Sequence, residues 1–342
     1  MLKLDLLPFE IPFKHPFSIS RKTKTFQPVL VVRLTQGEFI GLGETTDNAY
    51  YEMTVPKLIE SIEKHRAFIE QYSFTNPTQF WADLYPKFQD NLFALCALDL
   101  AAYDLYAQEQ DKKLYELWQS DTSQNPLTDY TIGIDSIENM VQKMQEMPFP
   151  IYKIKLGTRE DLQIIRELRK HTSATFRVDA NCAWSAKETI KNALILKDLG
   201  VEFIEQPIPA EDKVSMKLVF EQSALPIIAD ESCITESDVK DCAGLFHGIN
   251  IKLTKCGGIT PALRMIAEAR KLGLKVMIGS MNESTVGTSA AAHLLPLVDY
   301  ADLDSPLLHA REIAQGITIH QGKISYSDKL GAGVSLKEEE LI

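Results

Sequence analysis

An α/β barrel carried behind a smaller α+β module is the fold class this sequence predicts, and three observations predict it. Beyond Tyr130, eight short β-branched runs each precede an amphipathic helical stretch. Five of those runs are followed or ended by a charged residue that recurs once per unit. Residues 1–125, by contrast, read as strands and then helices.

In the first module, VLVVRLTQGE (29–38) is a β-rich run ending in a glycine turn, and GLGE (41–44) continues it. Two helical stretches follow, MTVPKLIESIEKHRAFIEQY and LFALCALDLAAYDLYAQEQ, with apolar residues at three- and four-residue intervals. The second has no internal Gly or Pro. The polar stretch SDTSQNPLTD (120–129), with its Asn-Pro, reads as a linker. This places the α+β module at 1–125, a barrel at 126–312 and a C-terminal segment at 313–342.

The runs are YTIGI (130–134), IYKIKL (151–156), FRVDA (176–180), VEFIE (201–205), PIIAD (226–230), INIKL (from 250), KVMIGS (275–280) and DYADLD (299–304). Strands alternating with helices imply a parallel sheet, and eight such units point to a closed barrel with its reacting groups at the carboxyl ends of the strands. ITIHQGKISYS (317–327) reads as a hairpin that returns to the first domain.

Composition narrows the function. With 45% apolar and 24% charged residues the chain is an ordinary globular protein. The first stretch is broken by Asp5, Pro8 and Glu10, unlike a signal peptide, and no run approaches the roughly 20 apolar residues of a membrane span. A cytoplasmic location is the expectation. Five scattered cysteines without a C-x-x-C pair argue against a disulfide framework or a zinc site. A net charge of −11 disfavours nucleic acid as a partner. A small-molecule substrate fits better, with a homo-oligomer left open.

Lys155, Asp179, Glu205, Asp230 and Lys255 follow one another at intervals of 24, 26, 25 and 25 residues. One βα unit per step brings all five to one mouth of the barrel. Acidic residues in βα loops are often helix caps. Three in phase, flanked by lysines in phase, are better explained by a shared divalent cation. Three hard oxygen ligands favour Mg²⁺.

Lys153 and Lys155 are two apart on a strand, so both point to the same face. Neighbouring ammonium groups lower each other's proton affinity, which brings a lysine towards the range of a general base. Lys255, about four strands further round, stands across the mouth. Two bases facing each other across a metal suit removal and return of a proton at a carbon α to a carboxylate.

The motifs GLGE, ALDLAAYD (97–104), KIK, VDAN (178–181), IEQP (204–207), ADES (229–232), KLTKCGG (252–258) and DKLGAG, in this order, resemble the enolase superfamily and its muconate-lactonising-like subgroup over nearly the whole chain. The resemblance implies a capping domain over a modified (β/α)8 TIM barrel. It implies Asp179, Glu205 and Asp230 as metal ligands, Lys155 and Lys255 as the acid/base pair, Lys153 as an electrostatic helper, and Asn181 and Glu231 as supporting groups.

Several reactions share those lysines in this subgroup. In YADLDSP, Asp302 and Asp304 are again two apart, so both can face the mouth and grip an ammonium group. This resembles the Asp-x-Asp signature of dipeptide epimerases and implies a dipeptide substrate with a free amino terminus. Thr131 and Ser280 occupy positions that contact substrate in such enzymes. The loop HPFSISRKTKTF would meet the epimerised side chain: Phe17, Ile19 and Phe26 favour an apolar partner, Arg21, Lys22 or Lys24 an acidic one. The expectation is Ala-Xaa, with a hydrophobic or small Xaa slightly ahead of Glu. The competing readings are N-acylamino acid racemase, o-succinylbenzoate synthase, a Schiff-base barrel aldolase and, as a non-enzyme, a sugar- or peptide-binding protein.

Overall fold

The computed structural model describes residues 1–19 and 22–340. The first module is built on an antiparallel sheet of β1 (Lys3–Ile19), β2 (Lys22–Gln36) and β3 (Phe39–Thr46), in that order. β3 pairs with β2 only from Val29 onward, so the far end of the β1–β2 hairpin runs on beyond the sheet. That extension reaches the second module. Ala310 N donates to Pro12 O at 2.7 Å and Ile134 N to Ser18 O at 3.0 Å.

Between the sheet and the second module lies the Leu92–Glu109 helix, apolar on all sides and buried along most of its length. The sheet approaches this helix very closely. A Cβ on Gly41 or Gly43 would stand 2.0 Å from the carbonyl oxygens of Ala101 and Ala97, respectively. The stretch expected as one helix over 53–72 forms two, Val55–Glu63 and Arg66–Glu70, because His65 leaves helical dihedrals.

The second module is the predicted barrel. Its strands are β4 (Tyr130–Ile132), β5 (Ile151–Lys155), β6 (Thr175–Asp179), β7 (Val201–Glu205), β8 (Ile227–Ala229), β9 (Gly248–Lys252), β10 (Lys275–Gly279) and β11 (Tyr300–Asp302). They pair in parallel in sequence order. A parallel bridge between Thr128 and Ala301 brings the first and last strands together at the seam. Outward-facing Ile132, Ile154, Val178 and Ile278 join the main core beneath the surrounding helices. Inside, Phe203, Ile228 and Met277 plug the foot of the barrel, packed against Tyr300.

After β11 the chain adds four short strands: β12 (Ala314–Gln315), β13 (Thr318–His320), β14 (Lys323–Ser325) and β15 (Ser335–Leu336). The β13–β14 hairpin sits at the barrel foot, where Thr128 N donates to Gly322 O and Gln321 Nε2 to Pro148 O, both at 2.9 Å. It is the stretch after the hairpin that meets the first module, with Ala332 N donating to Asp104 Oδ1 at 2.7 Å. All five cysteines are free thiols. Among the described residues no helix is long and apolar enough to cross a membrane.

Candidate active site

Strand alternation stacks two inward layers in the barrel. The lower contains Lys153, Arg177, Phe203, Asn250 and Tyr300, with Thr131 in register with Lys153; the upper contains Lys155, Asp179, Glu205, Lys252 and Asp302. Gly279, at the end of β10, has no side chain because Asn250 fills the space; an added Cβ would lie 2.5 Å from Asn250 Oδ1. The upper layer opens into a cavity of about 310 Å³ between the barrel and the first module.

Asp179, Glu205 and Asp230 are fully or almost fully buried, and one carboxylate oxygen from each lies within 4.8 Å of the others. Glu205 Oε2 is 2.7 Å from Lys153 Nζ, yet it receives no well-directed hydrogen bond. An all-oxygen, buried, triply anionic set with an oxygen left over is suited to a hard divalent cation. The βα loops around it are tightly held. Gln206 accepts from Asp230 N at 2.9 Å and Ser232 N at 3.0 Å, and it adopts φ 33° to do so. Gln206 was not singled out from the sequence, although it lies inside the IEQP motif.

The lysines divide into two kinds. Lys155 Nζ donates to Asp179 Oδ2 at 2.7 Å, and Lys252 Nζ to Asp230 Oδ2 at 2.7 Å; both side chains line the cavity. β5 and β9 are four strands apart in an eight-stranded barrel, so these amines face each other. Lys255 does not join them. It lies on the short helical turn Leu253–Cys256 past the strand, its side chain 0% exposed, donating to Asp230 Oδ1, Asp230 O and Cys233 O at 2.6–2.9 Å. An amine with its donors spent on fixed acceptors, away from the cavity, is a structural strut. The position expected of Lys255 is taken by Lys252.

Lys153 is also sealed from the cavity, within 2.6 Å of Asp302, 2.7 Å of Glu205 and 3.6 Å of Asp179. Burial alone would lower its pKa, but Asp302, Glu205 and Asp179 outweigh burial and hold it well above the ordinary lysine value. The expected mutual depression of neighbouring lysines is therefore reversed at Lys153. For Lys252, burial is likewise outweighed by Asp230, and its pKa is raised.

Asp302 and Asp304 both line the cavity. Burial would raise Asp302, but Lys153 and Lys155 hold it down to about 2. Asp304 accepts from Thr131 N at 2.5 Å and is pushed up to about 7, by burial first and then by Asp302. Thr131 and Ser280 line the cavity too, the latter hydrogen-bonded to Ser305 at 2.7 Å. So do Asn181 and Glu231, and burial followed by Asp230 lifts Glu231 to about 7.

The first module closes the cavity with Phe17 and Lys24 from the β1–β2 hairpin and with Tyr50 and Tyr51. Phe26 is 45% exposed and does not line it; on an antiparallel strand the cavity is reached two residues earlier, at Lys24. Arg21 lies outside the described residues, and Ile19 is described only by its backbone pairing with Lys22. Tyr50, Tyr51 and Met281 were not anticipated from the sequence, since only the assembled fold brings these loops over the barrel.

Proteins of known family and structure share this architecture. Residues 4–118 match the mandelate racemase / muconate lactonizing enzyme N-terminal domain, and residues 136–340 the enolase C-terminal domain-like family. The chain is 56% identical over 335 residues to an L-Ala-D/L-amino acid epimerase of Flavobacterium johnsoniae, covering 98% of this chain and all of that one. It is 54% identical to an L-Ala-D/L-amino acid epimerase of a Maribacter species, again covering 98% and 100%. The crystal structure of a dipeptide epimerase from Cytophaga hutchinsonii, complexed with Mg and D-Ala-L-Val, superposes with a TM-score of 0.93 at 26% identity, covering 98% of this chain and 96% of that one. With capping sheet, barrel and carboxylate-lysine mouth all present, and with both domain models matched in order, the chain belongs to the mandelate racemase / muconate lactonizing enzyme family of the enolase superfamily.

Proposed function

We propose that this chain is a dipeptide epimerase that inverts the α-carbon of the second residue of Ala-Xaa dipeptides. The observation that carries the reading is the placing of Lys155 and Lys252 across one cavity whose remaining wall holds Asp302 and Asp304. Two amines facing each other are what a stereoinverting proton transfer requires, and two carboxylates suit a free amino terminus. The relatives bearing the name L-Ala-D/L-amino acid epimerase support the same substrate class.

Asp179, Glu205 and Asp230 would hold one Mg²⁺, which supplies the Lewis acidity that a weak carbon acid beside a carboxylate demands. Everything else falls to the protein. Lys155, in its uncharged form, removes the α-proton from one face, and Lys252, protonated, returns one to the other; the roles reverse for the opposite stereoisomer. Lys153 keeps its charge beneath the site and offsets the crowding of Asp302, Glu205 and Asp179. Asp302 and Asp304 orient the substrate through its ammonium group. Thr131 fixes Asp304, while Ser280 stands beside them on the wall.

For the side chain of Xaa, the apolar surfaces of Phe17, Tyr50, Tyr51 and Met281 favour hydrophobic or small residues, with Lys24 able to admit an acidic one at the rim. Incubation with a library of L-Ala-Xaa and D-Ala-Xaa dipeptides in D₂O with Mg²⁺, read by mass spectrometry, tests the proposal. Solvent deuterium should enter one α-carbon, and chelation should stop it. Exchange confined to N-acyl amino acids would replace the epimerase with an N-acylamino acid racemase. Chelator-insensitive inactivation by borohydride and a carbonyl substrate would point to a Schiff-base aldolase.

A further inference from the structure

Beneath Asp302 and Asp304 lies a third carboxylate, contributed by Asp129 at the start of the barrel. One oxygen from each of the three falls within 4.8 Å of the others. Asp129 Oδ2 accepts from Arg177 Nη1 at 2.9 Å, while Oδ1, fully buried, has no hydrogen-bond partner among the described residues. Arg177 is itself buried over Phe203 and Tyr300, and also pairs with Glu202 at the foot of the barrel. The charges facing this cluster are therefore few. Arg177 answers Asp129 and Lys153 answers Asp302, although Lys153 is shared with Glu205. Lys155 and Lys252 act on Asp302 as well, but they are paired with Asp179 and Asp230, so in direct contact the three carboxylates meet two cations, and full ionisation would leave one negative charge in a place water scarcely reaches.

Such a charge is costly unless a cation arrives. Burial first, and then Asp302, hold Asp129 well above the usual carboxylate range, so the cluster keeps a proton that an arriving cation would displace. Crowding of this sort serves no packing purpose, since an asparagine would satisfy Arg177 through its carbonyl oxygen.

We propose that Asp129 is a specificity-determining residue, whose buried carboxyl group behind Asp302 and Asp304 makes the subsite select a substrate ammonium over a neutral group of the same shape. This rests on the dipeptide reading above. It adds to it a residue outside the cavity wall and a reason for discrimination, namely a charge count that only a cation completes.

The test compares an L-Ala-Xaa dipeptide with its N-lactoyl-Xaa analogue, in which a hydroxyl replaces the ammonium. In Asp129→Asn, KM for the dipeptide should rise about tenfold with kcat little changed, and the preference for dipeptide over lactoyl analogue should fall by a similar factor. Asp129→Asn/Arg177→Met removes one charge of each sign, so it should recover the wild-type preference; it also serves if the single variant fails to fold. A purely structural Asp129 would depress both substrates alike and leave their ratio unchanged, and the double variant would then be no better than the single one. Either result overturns the proposal alone. A wild-type protein that ignores dipeptides and racemises N-acyl amino acids overturns the epimerase reading along with it.

Discussion

At the scale of single residues, the most instructive difference concerns the second lysine. The regular spacing of charged residues pointed to Lys255, because a step of 25 residues from Asp230 continues the earlier steps. The barrel does not keep that step. β9 ends at Lys252, only 22 residues after Asp230, and Lys255 falls on the turn beyond. Alternation along the strand held the correct answer: Asn250 and Lys252 are two apart and both point inward, as Lys153 and Lys155 do. Asn250 Nδ2 donates to Glu205 Oε1 at 2.8 Å, which marks the inward face. Lys155→Ala and Lys252→Ala should each reduce epimerisation by about 10³-fold or more. Each should retain solvent exchange only for the stereoisomer whose α-proton faces the surviving lysine, as ¹H NMR in D₂O would reveal. Lys255→Met has a different expected signature. It strands Asp230 Oδ1 and two carbonyl groups, and should cost about 3–5 kcal/mol of stability in urea unfolding. Normal stability with lost exchange in Lys255→Met would return the base assignment to that residue.

At the scale of elements, the barrel strands were legible because each combines a β-branched run with a following amphipathic helix. The close approach of the sheet to the Leu92–Glu109 helix was not. GLGE could be recognised as a strand with glycines, but which surface those glycines meet depends on tertiary packing. Gly41 and Gly43 alternate with outward neighbours on β3 and both face that helix, where only hydrogen fits. Asp104, from the same helix, accepts from Leu42 N at 2.8 Å, which fixes strand and helix in register. Gly43→Ala would press a methyl group against Ala97 O and Ala101 N, both backbone atoms that cannot swing aside. Overpacking of this kind should cost about 1–3 kcal/mol, measured by chemical denaturation. An unchanged midpoint would mean that the sheet can shift away from the helix without loss.

At the scale of the whole molecule, the two modules are joined by buried carboxylates whose role the motifs alone did not disclose. Glu44, the last residue of GLGE, accepts from Ser284 N and Gly287 N at 2.8 Å and from Ser284 Oγ at 2.6 Å, capping the barrel's Thr285–Ala292 helix. Asp99 accepts from Thr260 N at 2.9 Å and Thr260 Oγ1 at 2.8 Å, at the start of the Ile259–Lys271 helix. Negative charge at a helix N-terminus is favourable, yet burial is the larger effect here. It lifts Glu44 to about 8, Asp99 to about 7 and Asp104 to about 6. An unfolded carboxyl titrates near 4, so between that value and about 8 the folded protein holds more of these protons than the unfolded chain. Stability from these groups is then complete at the acidic end and is lost as pH rises through 6, 7 and 8. The melting temperature at fixed ionic strength should carry this slope between pH 5.5 and 8.5. Glu44→Gln loses an acceptor facing Gly287 N and should melt lower at pH 5.5, but its deficit should shrink towards pH 8.5 because the variant has no charge to bury. Parallel melting curves for the two proteins would show that Glu44 is already ionised across the range, with the backbone N–H groups of the capped helix outweighing its burial.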